Sequence, residues 1–422
     1  MRVVIIGGGS AGTTCAFELR KLNKNVEIFI IEKTKYLEYS PCALPYLISG
    51  EIKNREDIFI YQEEDYQLNQ IELRLNSEVM DVNRKLKKVF YLENGVSKEI
   101  DYDRLVMTTG SEAGRDYQTL KTIDDVNMKN GNCSVVVGGG MIGTELANAL
   151  SILGHEVYLF EEKSQILSKM LDKDMAGFLE LGNIKVEVNA KIERISGNSL
   201  VCNEKEIKFD NLFMCTGLLP KTDLAKKIGL EVGIGVKVNS FLQTSDENIF
   251  ACGDCVESIH LITRKIVLSQ LGTTAVRQAK VVAANLLSDS KQFSYVLNNT
   301  ITKLGNLYIG SVGVIEEEVD NCVVGRYIGT VRSNYYNNEE KIIVKLICNF
   351  DKEIIGGQII GHHEVAGRLN LIALAIEKKI QLDDVVNMET CYNPASASIF
   401  DPVVMAATIC LKKINFLKDQ ND

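Results

Sequence analysis

Two glycine-rich turns of one kind, 131 residues apart, constrain this chain more than any other feature, because each ends an apolar strand and opens a helix. The first follows Val3-Val4-Ile5-Ile6 and reads Gly7-Gly8-Gly9-Ser10-Ala11-Gly12; a second apolar run then ends at Glu32. The second follows Val135-Val136-Val137, reads Gly138-Gly139-Gly140-Met141-Ile142-Gly143, and is trailed by Val157-Tyr158-Leu159-Phe160 ending at Glu161. The three glycines of G-x-G-x-x-G serve a tight turn, close approach of backbone to a pyrophosphate, and close helix–strand packing. The helix N-terminus beyond them offers free N–H groups to phosphates, and an acid about 20 residues on can hold ribose hydroxyls. One such motif is weak evidence; two complete copies predict two bound nucleotides.

With 422 residues the chain has length for two to four domains. A net charge of -9 argues against a nucleic-acid or anionic-membrane surface, and no apolar run approaches a spanning helix, so a cytoplasmic protein is expected. Eleven cysteines without a regular framework fit reduced thiols. Cys15, Cys133, Cys202, Cys215, Cys348 and Cys410 sit among apolar neighbours and read as buried core residues.

The halves also share a later strand ending in Thr-Gly, at Thr109-Gly110 and Thr216-Gly217, and a further strand ends at Gly253-Asp254. From about residue 295 the texture changes to alternating strand-like segments and a helix-period stretch at Leu369–Lys379, which predicts an α+β domain. The order of these features resembles the pyridine nucleotide-disulfide oxidoreductases over nearly the whole chain. The resemblance implies an α/β fold: two Rossmann-like units, for FAD (1–112 and 241–294) and NAD(P)H (113–240), plus a dimerisation domain at 295–422. It implies cofactor contacts at Gly7, Gly9, Ser10, Ala11, Gly12, Glu32, Lys33, Val79, Thr109, Gly110, Gly253, Asp254, Thr274 and Ala275. Further contacts are implied at Gly138, Gly140, Met141, Ile142, Gly143, Glu145, Glu161 and Gly217. NADH is expected in preference to NADPH, since Glu161 can accept from a 2′-OH and Glu162 stands where an arginine would suit a 2′-phosphate.

Ser40-Pro41-Cys42-Ala43-Leu44-Pro45-Tyr46 is the candidate redox segment. A cysteine opening a helix gains from its free N–H groups, so a lowered thiol pKa is expected, with Gly50 closing the helix. No second cysteine follows nearby, which excludes the internal disulfide of glutathione reductase. The segment is similar to the single-cysteine branch, nearest to coenzyme A disulfide reductases. Oxidases and peroxidases of that branch usually carry a histidine where this chain has Ser10.

The resemblance implies that Cys42 attacks a small disulfide, aided by tyrosines of a partner subunit: Tyr335 and Tyr336 in Asn334-Tyr335-Tyr336, and Tyr392. Ser396 stands where a second tyrosine is expected, and Glu18 and Glu38 would set negative charge near the phosphates of coenzyme A, the candidate thiol. A homodimer acting on a small disulfide, persulfide or thiol is the expected assembly. The alternatives are an NADH oxidase or peroxidase cycling Cys42 through sulfenic acid, and a carrier passing flavin electrons to a protein or quinone. Cys252-Gly253-Asp254-Cys255 is read as a strand-to-helix turn and His362-His363-Glu364 as a solvated loop; no metal is expected.

Overall fold

The computed structural model describes residues 1–420 except 115, 116, 129, 289, 334 and 337–339. Asn334 of the Asn-Tyr-Tyr motif therefore lies outside the described residues.

Val3, Val4 and Ile5 have no exposed surface, because their strand is covered on both faces. It is the centre of a five-stranded parallel sheet whose spatial order is Ile249–Ala251, Arg104–Met107, Arg2–Ile6, Glu27–Ile31 and Ile71–Arg74. Helix α1 (Ser10–Leu22) runs from the first glycine turn and packs on one face. The second turn repeats the plan with α2 (Met141–Ile152), in a four-stranded parallel sheet ordered Lys185–Val188, Glu156–Glu161, Cys133–Val137 and Asn211–Met214. In both units a three-stranded antiparallel sheet precedes the strand that leads to Thr-Gly. The chain then returns to the first sheet through Ile249–Ala251, and α3 (Gly272–Asn285) packs beside α1.

From Thr300 onward a five-stranded antiparallel sheet forms, with α4 (Val365–Lys378) and α5 (Pro402–Asp419) on its core. Asp401 caps α5, accepting from the N–H of Val403 at 2.8 Å with Pro402 at the first helical position. The observed class is the α/β arrangement of two Rossmann-like units with an α+β C-terminal part that the sequence predicts. Cys133 and Cys215 depart from expectation: both are half-buried, each ending or flanking a strand of the second sheet instead of filling its centre.

Two joints position the site. Leu44 and Ile48, just beyond Cys42, share a core with Leu146 and Leu150 of α2, so the Cys42 segment is clamped against the second nucleotide unit. Met170, Leu171 and Met175 pack with Leu304, Ile309, Ile343 and Ile360, fixing that unit to the C-terminal sheet.

Candidate active site

The two glycine turns are near copies. Gly7 and Gly138 have φ of +109° and +107°, where a side chain would be strained and its Cβ would overlap a backbone carbonyl, of Thr108 and Cys215 respectively. A Cβ at Gly12 would overlap the Gly7 carbonyl, and one at Gly143 the Gly138 carbonyl. Gly9 and Gly140 face open space, the room a pyrophosphate requires. Glu32 accepts from the N–H of Gly8 at 2.7 Å and of Thr34 at 2.8 Å; Glu161 accepts from Gly139 at 2.6 Å and Lys163 at 2.8 Å. Each acid is thus held beside its turn, and each oxygen retains a lone pair for a ribose hydroxyl. Both turns fit a dinucleotide.

The Thr-Gly and Gly-Asp strand ends converge beside the first turn. The hydroxyl of Thr108 donates to the carbonyls of Ile6 or Gly7, both at 2.9 Å, and that of Thr109 to the Lys221 carbonyl at 2.8 Å. Gly110 and Gly217 both adopt positive φ. Gly253 packs against Ala11 and Ala275, and its N–H donates to Gln278 of α3 at 2.8 Å. Asp254 accepts from the Ser111 hydroxyl at 2.8 Å and lies 3.7 Å from the Lys121 ammonium. Thr274 is buried against Ser269, their hydroxyls 2.9 Å apart; Val79 packs under the first sheet; Lys33 pairs with Glu78 at 2.7 Å on the surface.

Cys42 stands exposed in a single 3₁₀ turn, Pro41–Ala43, followed by a short helix, Leu44–Ile48. The expected lowering of its pKa is not found, whereas Gly50 closes the helix as expected, with φ of +77° and its N–H donating to the Leu47 carbonyl at 3.3 Å. Protein packed behind the thiol pushes its pKa up, the Glu145 carboxylate adds to this, and the Lys121 ammonium pulls the other way. A helix of five residues sums too few peptide dipoles to outweigh these terms. Lys121 and Gln278 are the functional candidates that the sequence reading missed; each acts on a partner far along the chain, with no local motif to mark it.

Glu145 is carried by α2, close enough to Cys42 for its charge to act there. The hydroxyl of Thr302, in the C-terminal sheet, donates to its Oε1 at 2.7 Å, and burial raises its pKa to about 7. Tyr46, one turn past Cys42, is pushed up to about 12 by burial and by Glu145, Glu51 and Cys42. A cleft of about 510 Å³ opens here, lined in part by Tyr46, Glu51, Thr302, Lys303, Tyr308 and His363. Met141 and Ile142 begin α2, half-buried beside it.

Tyr335, Tyr336 and Tyr392 are exposed on the C-terminal domain, remote from their own chain's core; the hydroxyls of Tyr335 and Tyr392 lie 2.8 Å apart. Ser396 lies in the turn beyond, bonding its N–H to the Asn393 carbonyl at 2.9 Å. Glu18 pairs with Lys21 at 2.9 Å, and Glu38 is buried. Cys252 and Cys255 are fully buried, with burial raising both pKa values, as suits inert core thiols. His363 meets Glu340 at 3.2 Å and Glu364 pairs with Arg368, so the His-His-Glu run converges on no common point. Oxygens of Asp172, Asp174 and Glu316 come close enough together to hold a metal, but the buried Lys345 ammonium binds all three.

No helix among the described residues is long and apolar enough to cross a membrane. The chain is 37% identical to a protein named NADH oxidase from Methanocaldococcus jannaschii, across 98% of this chain and 100% of that one. It is 26% identical to an NAD(P)H coenzyme A polysulfide/persulfide reductase from Pyrococcus horikoshii, across 97% and 98%. An NAD-dependent persulfide reductase from A. fulgidus superposes with a TM-score of 0.94 at 28% identity, over 99% of this chain and 84% of that one. Residues 1–279 match the family model for pyridine nucleotide-disulphide oxidoreductase, and residues 300–403 match that family's dimerisation domain. With both nucleotide turns, the Gly-Asp strand and the C-terminal domain in place, the chain belongs to the pyridine nucleotide-disulphide oxidoreductases, enzymes that bind FAD and take electrons from NAD(P)H.

Proposed function

We propose that this enzyme reduces a small disulfide or persulfide through a single sulfur, that of Cys42. The observation that carries the reading is the exposed Cys42 thiol with Glu145 and Lys121 acting on it, its segment fixed by the packing of Leu44 and Ile48 against α2. The first turn, Glu32, Val79, Thr109, Asp254 and the α3 N-terminus at Thr274 and Ala275 would hold FAD; the second turn, Glu145, Glu161 and Gly217 would hold NADH. Bound there, the flavin would supply a two-electron relay from nicotinamide to sulfur.

The chain's own residues do the rest. Cys42 attacks one sulfur of the substrate and keeps that half as a mixed disulfide, while the other half leaves as a thiol. Lys121 stabilises the thiolate form of Cys42, against the opposing charge of Glu145. Tyr335, Tyr336 and Tyr392 have no partner site in their own chain's cleft, so the active assembly is a homodimer in which they reach the partner's Cys42. Tyr392, hydrogen-bonded to Tyr335, supplies the second phenol that Ser396 cannot. Glu161, already bonded to two backbone N–H groups, favours the free 2′-OH of NADH over the phosphate of NADPH.

The relative named NADH oxidase favours a second reading, in which Cys42 cycles through sulfenic acid. Replacing Cys42 by Ser and assaying disulfides, persulfide, peroxide and oxygen as acceptors separates them. The first reading expects disulfide turnover to vanish while FAD stays bound and NADH still bleaches it. Wild-type disulfide turnover in Cys42→Ser would overturn it.

A further inference from the structure

Thr302 belongs to the C-terminal sheet, yet its hydroxyl donates across the joint to Oε1 of Glu145 at 2.7 Å. Its strand, Thr300–Leu304, is the edge strand of that sheet, with Thr302 opposite Ile309. Thr302 and Leu304 are buried while Ile301 between Thr300 and Thr302 is exposed, so one face of the strand is turned to the second nucleotide unit, where Leu304 packs with Met170 and Leu171. Just past the strand, the Gly305 N–H donates to Oδ1 of Asn148 at 3.0 Å. Glu145 and Asn148 are three apart on α2 and hence neighbours on one helix face, so the strand end grips α2 at two adjacent points. Thr302 is 3% exposed and stiff at χ1, which fixes its hydroxyl in place.

The hydroxyl has one proton, given to Oε1, so the proton that Glu145 gains and loses belongs to Oε2. A hydroxyl bonds a carboxylate more strongly than a neutral carboxyl, and so it holds the group toward its charged form. Burial acts the other way: it raises the Glu145 pKa to about 7, and the Thr302 bond pulls it down. The sheet beneath α2 presents Val136, Val157 and Leu159 to the helix and adds no charge. From the Cys42 segment, Cys42 and Tyr46 feel the Glu145 carboxylate. Lys303, next to Thr302, is paired with Glu51 at 2.6 Å, and Tyr308 on the adjoining strand lines the cleft with Tyr46. On Cys42 itself Lys121 and Asp254 also act, 3.7 Å from each other.

We infer that Thr302 is a positioning residue for Cys42: by bonding Glu145 it sets, from the C-terminal domain, the charge that stands against the Cys42 thiolate. The inference rests on the disulfide reading for the use of that thiolate, not for the tuning itself. Above about pH 7 the Glu145 carboxylate opposes ionisation of Cys42; below it the neutral carboxyl does not. The joint between the C-terminal sheet and α2 is thereby part of the pH response of the sulfur.

The test is the rate of Cys42 alkylation by iodoacetamide, read by peptide mass in the FAD-loaded protein with Cys42 as free thiol. Thr302→Val loses the bond and should raise the titration midpoint of Glu145 by about one pH unit. Cys42 should then react about twofold faster than in wild type near pH 7.5, and equally near pH 6, where Glu145 is neutral in both proteins. Thr302→Ala should do the same, and Thr302→Ser, which keeps the hydroxyl, should follow wild type. In a Glu145→Gln background Thr302→Val should change nothing, because no charge is left to set. An acceleration of equal size at both pH values, as loosened packing would give, overturns the inference. A wild-type profile in Thr302→Val and Thr302→Ala, or an effect that survives Glu145→Gln, overturns it too. Alkylation uses no substrate, so failure of the disulfide reading shows separately, as a wild type inactive on every disulfide.

Discussion

At Glu145 three parts of the chain meet in one carboxyl group: α2 carries it, Thr302 of the C-terminal sheet bonds it, and Cys42 feels its charge. Burial raises its pKa from 4.5 to about 7, so the protonated form is the one the folded chain prefers. Its contribution to stability is therefore full below about pH 4.5 and is lost as pH rises through about 7, with an upper size of about 3 kcal/mol. Glu145→Gln, which stays neutral, should flatten the stability difference between pH 5 and pH 8 by up to that amount; urea unfolding of the FAD-loaded protein at the two pH values measures it. An unchanged difference would mean that Glu145 is solvated. The same residue explains a misreading. The pKa of Cys42 was expected to fall because Pro41 and Ser40 mark a helix start, a purely local signal. Burial of the thiol decides it, and the next two influences, Glu145 and Lys121, lie about 80 to 100 residues away, with only the packing of Leu44 and Ile48 on α2 bringing Glu145 close.

Elements built from local rules were the legible ones. Strand, glycine turn, helix and terminal acid follow one another within about 25 residues, and their geometry needs no distant partner. The C-terminal domain was legible only as a texture of strands and one helix, because its cohesion comes from pairings across the chain. Lys345 is the plainest case: it sits without exposed surface in the strand Lys341–Cys348 and is held by Asp172 at 2.8 Å, Asp174 at 2.7 Å and Glu316. Burial pulls its pKa down, but the three carboxylates outweigh burial and keep it raised. Asp172 also accepts from Gln358 at 2.6 Å, so the cluster ties the second nucleotide unit to the C-terminal sheet. Lys345→Met should cost about 3–5 kcal/mol, because Asp172 and Glu316 lose their cation at a packed joint and Asp174 keeps only Arg326. Denaturant unfolding measures this, and a loss below about 1 kcal/mol would place the joint's strength in the apolar contacts of Met170, Leu171 and Ile343 instead.

On the scale of the whole molecule, the exposed tyrosines argue for an active site made by two chains. Tyr335, 76% exposed, has its hydroxyl bonded to Tyr392 rather than to any part of its own Cys42 cleft, and exposed Ile399 and Phe400 flank the same domain. If these hydroxyls serve the partner's Cys42, each dimer has two composite sites, each drawing its sulfur from one chain and its tyrosines from the other. A pair of defective variants then complements. Cys42→Ser lacks the sulfur at both sites, and the double variant Tyr335→Phe, Tyr392→Phe lacks both hydroxyls. In a mixed dimer one composite site carries both defects and the other carries neither. Unfolding and refolding an equal mixture with FAD should make about half the dimers mixed, each with one sound site, giving about a quarter of wild-type disulfide turnover. Sites confined to single chains would give no gain over the average of the two variants, because every chain would keep its own defect. That outcome would confine the tyrosine pair to a structural role and leave the protonation of the leaving thiol to groups within the Cys42 chain.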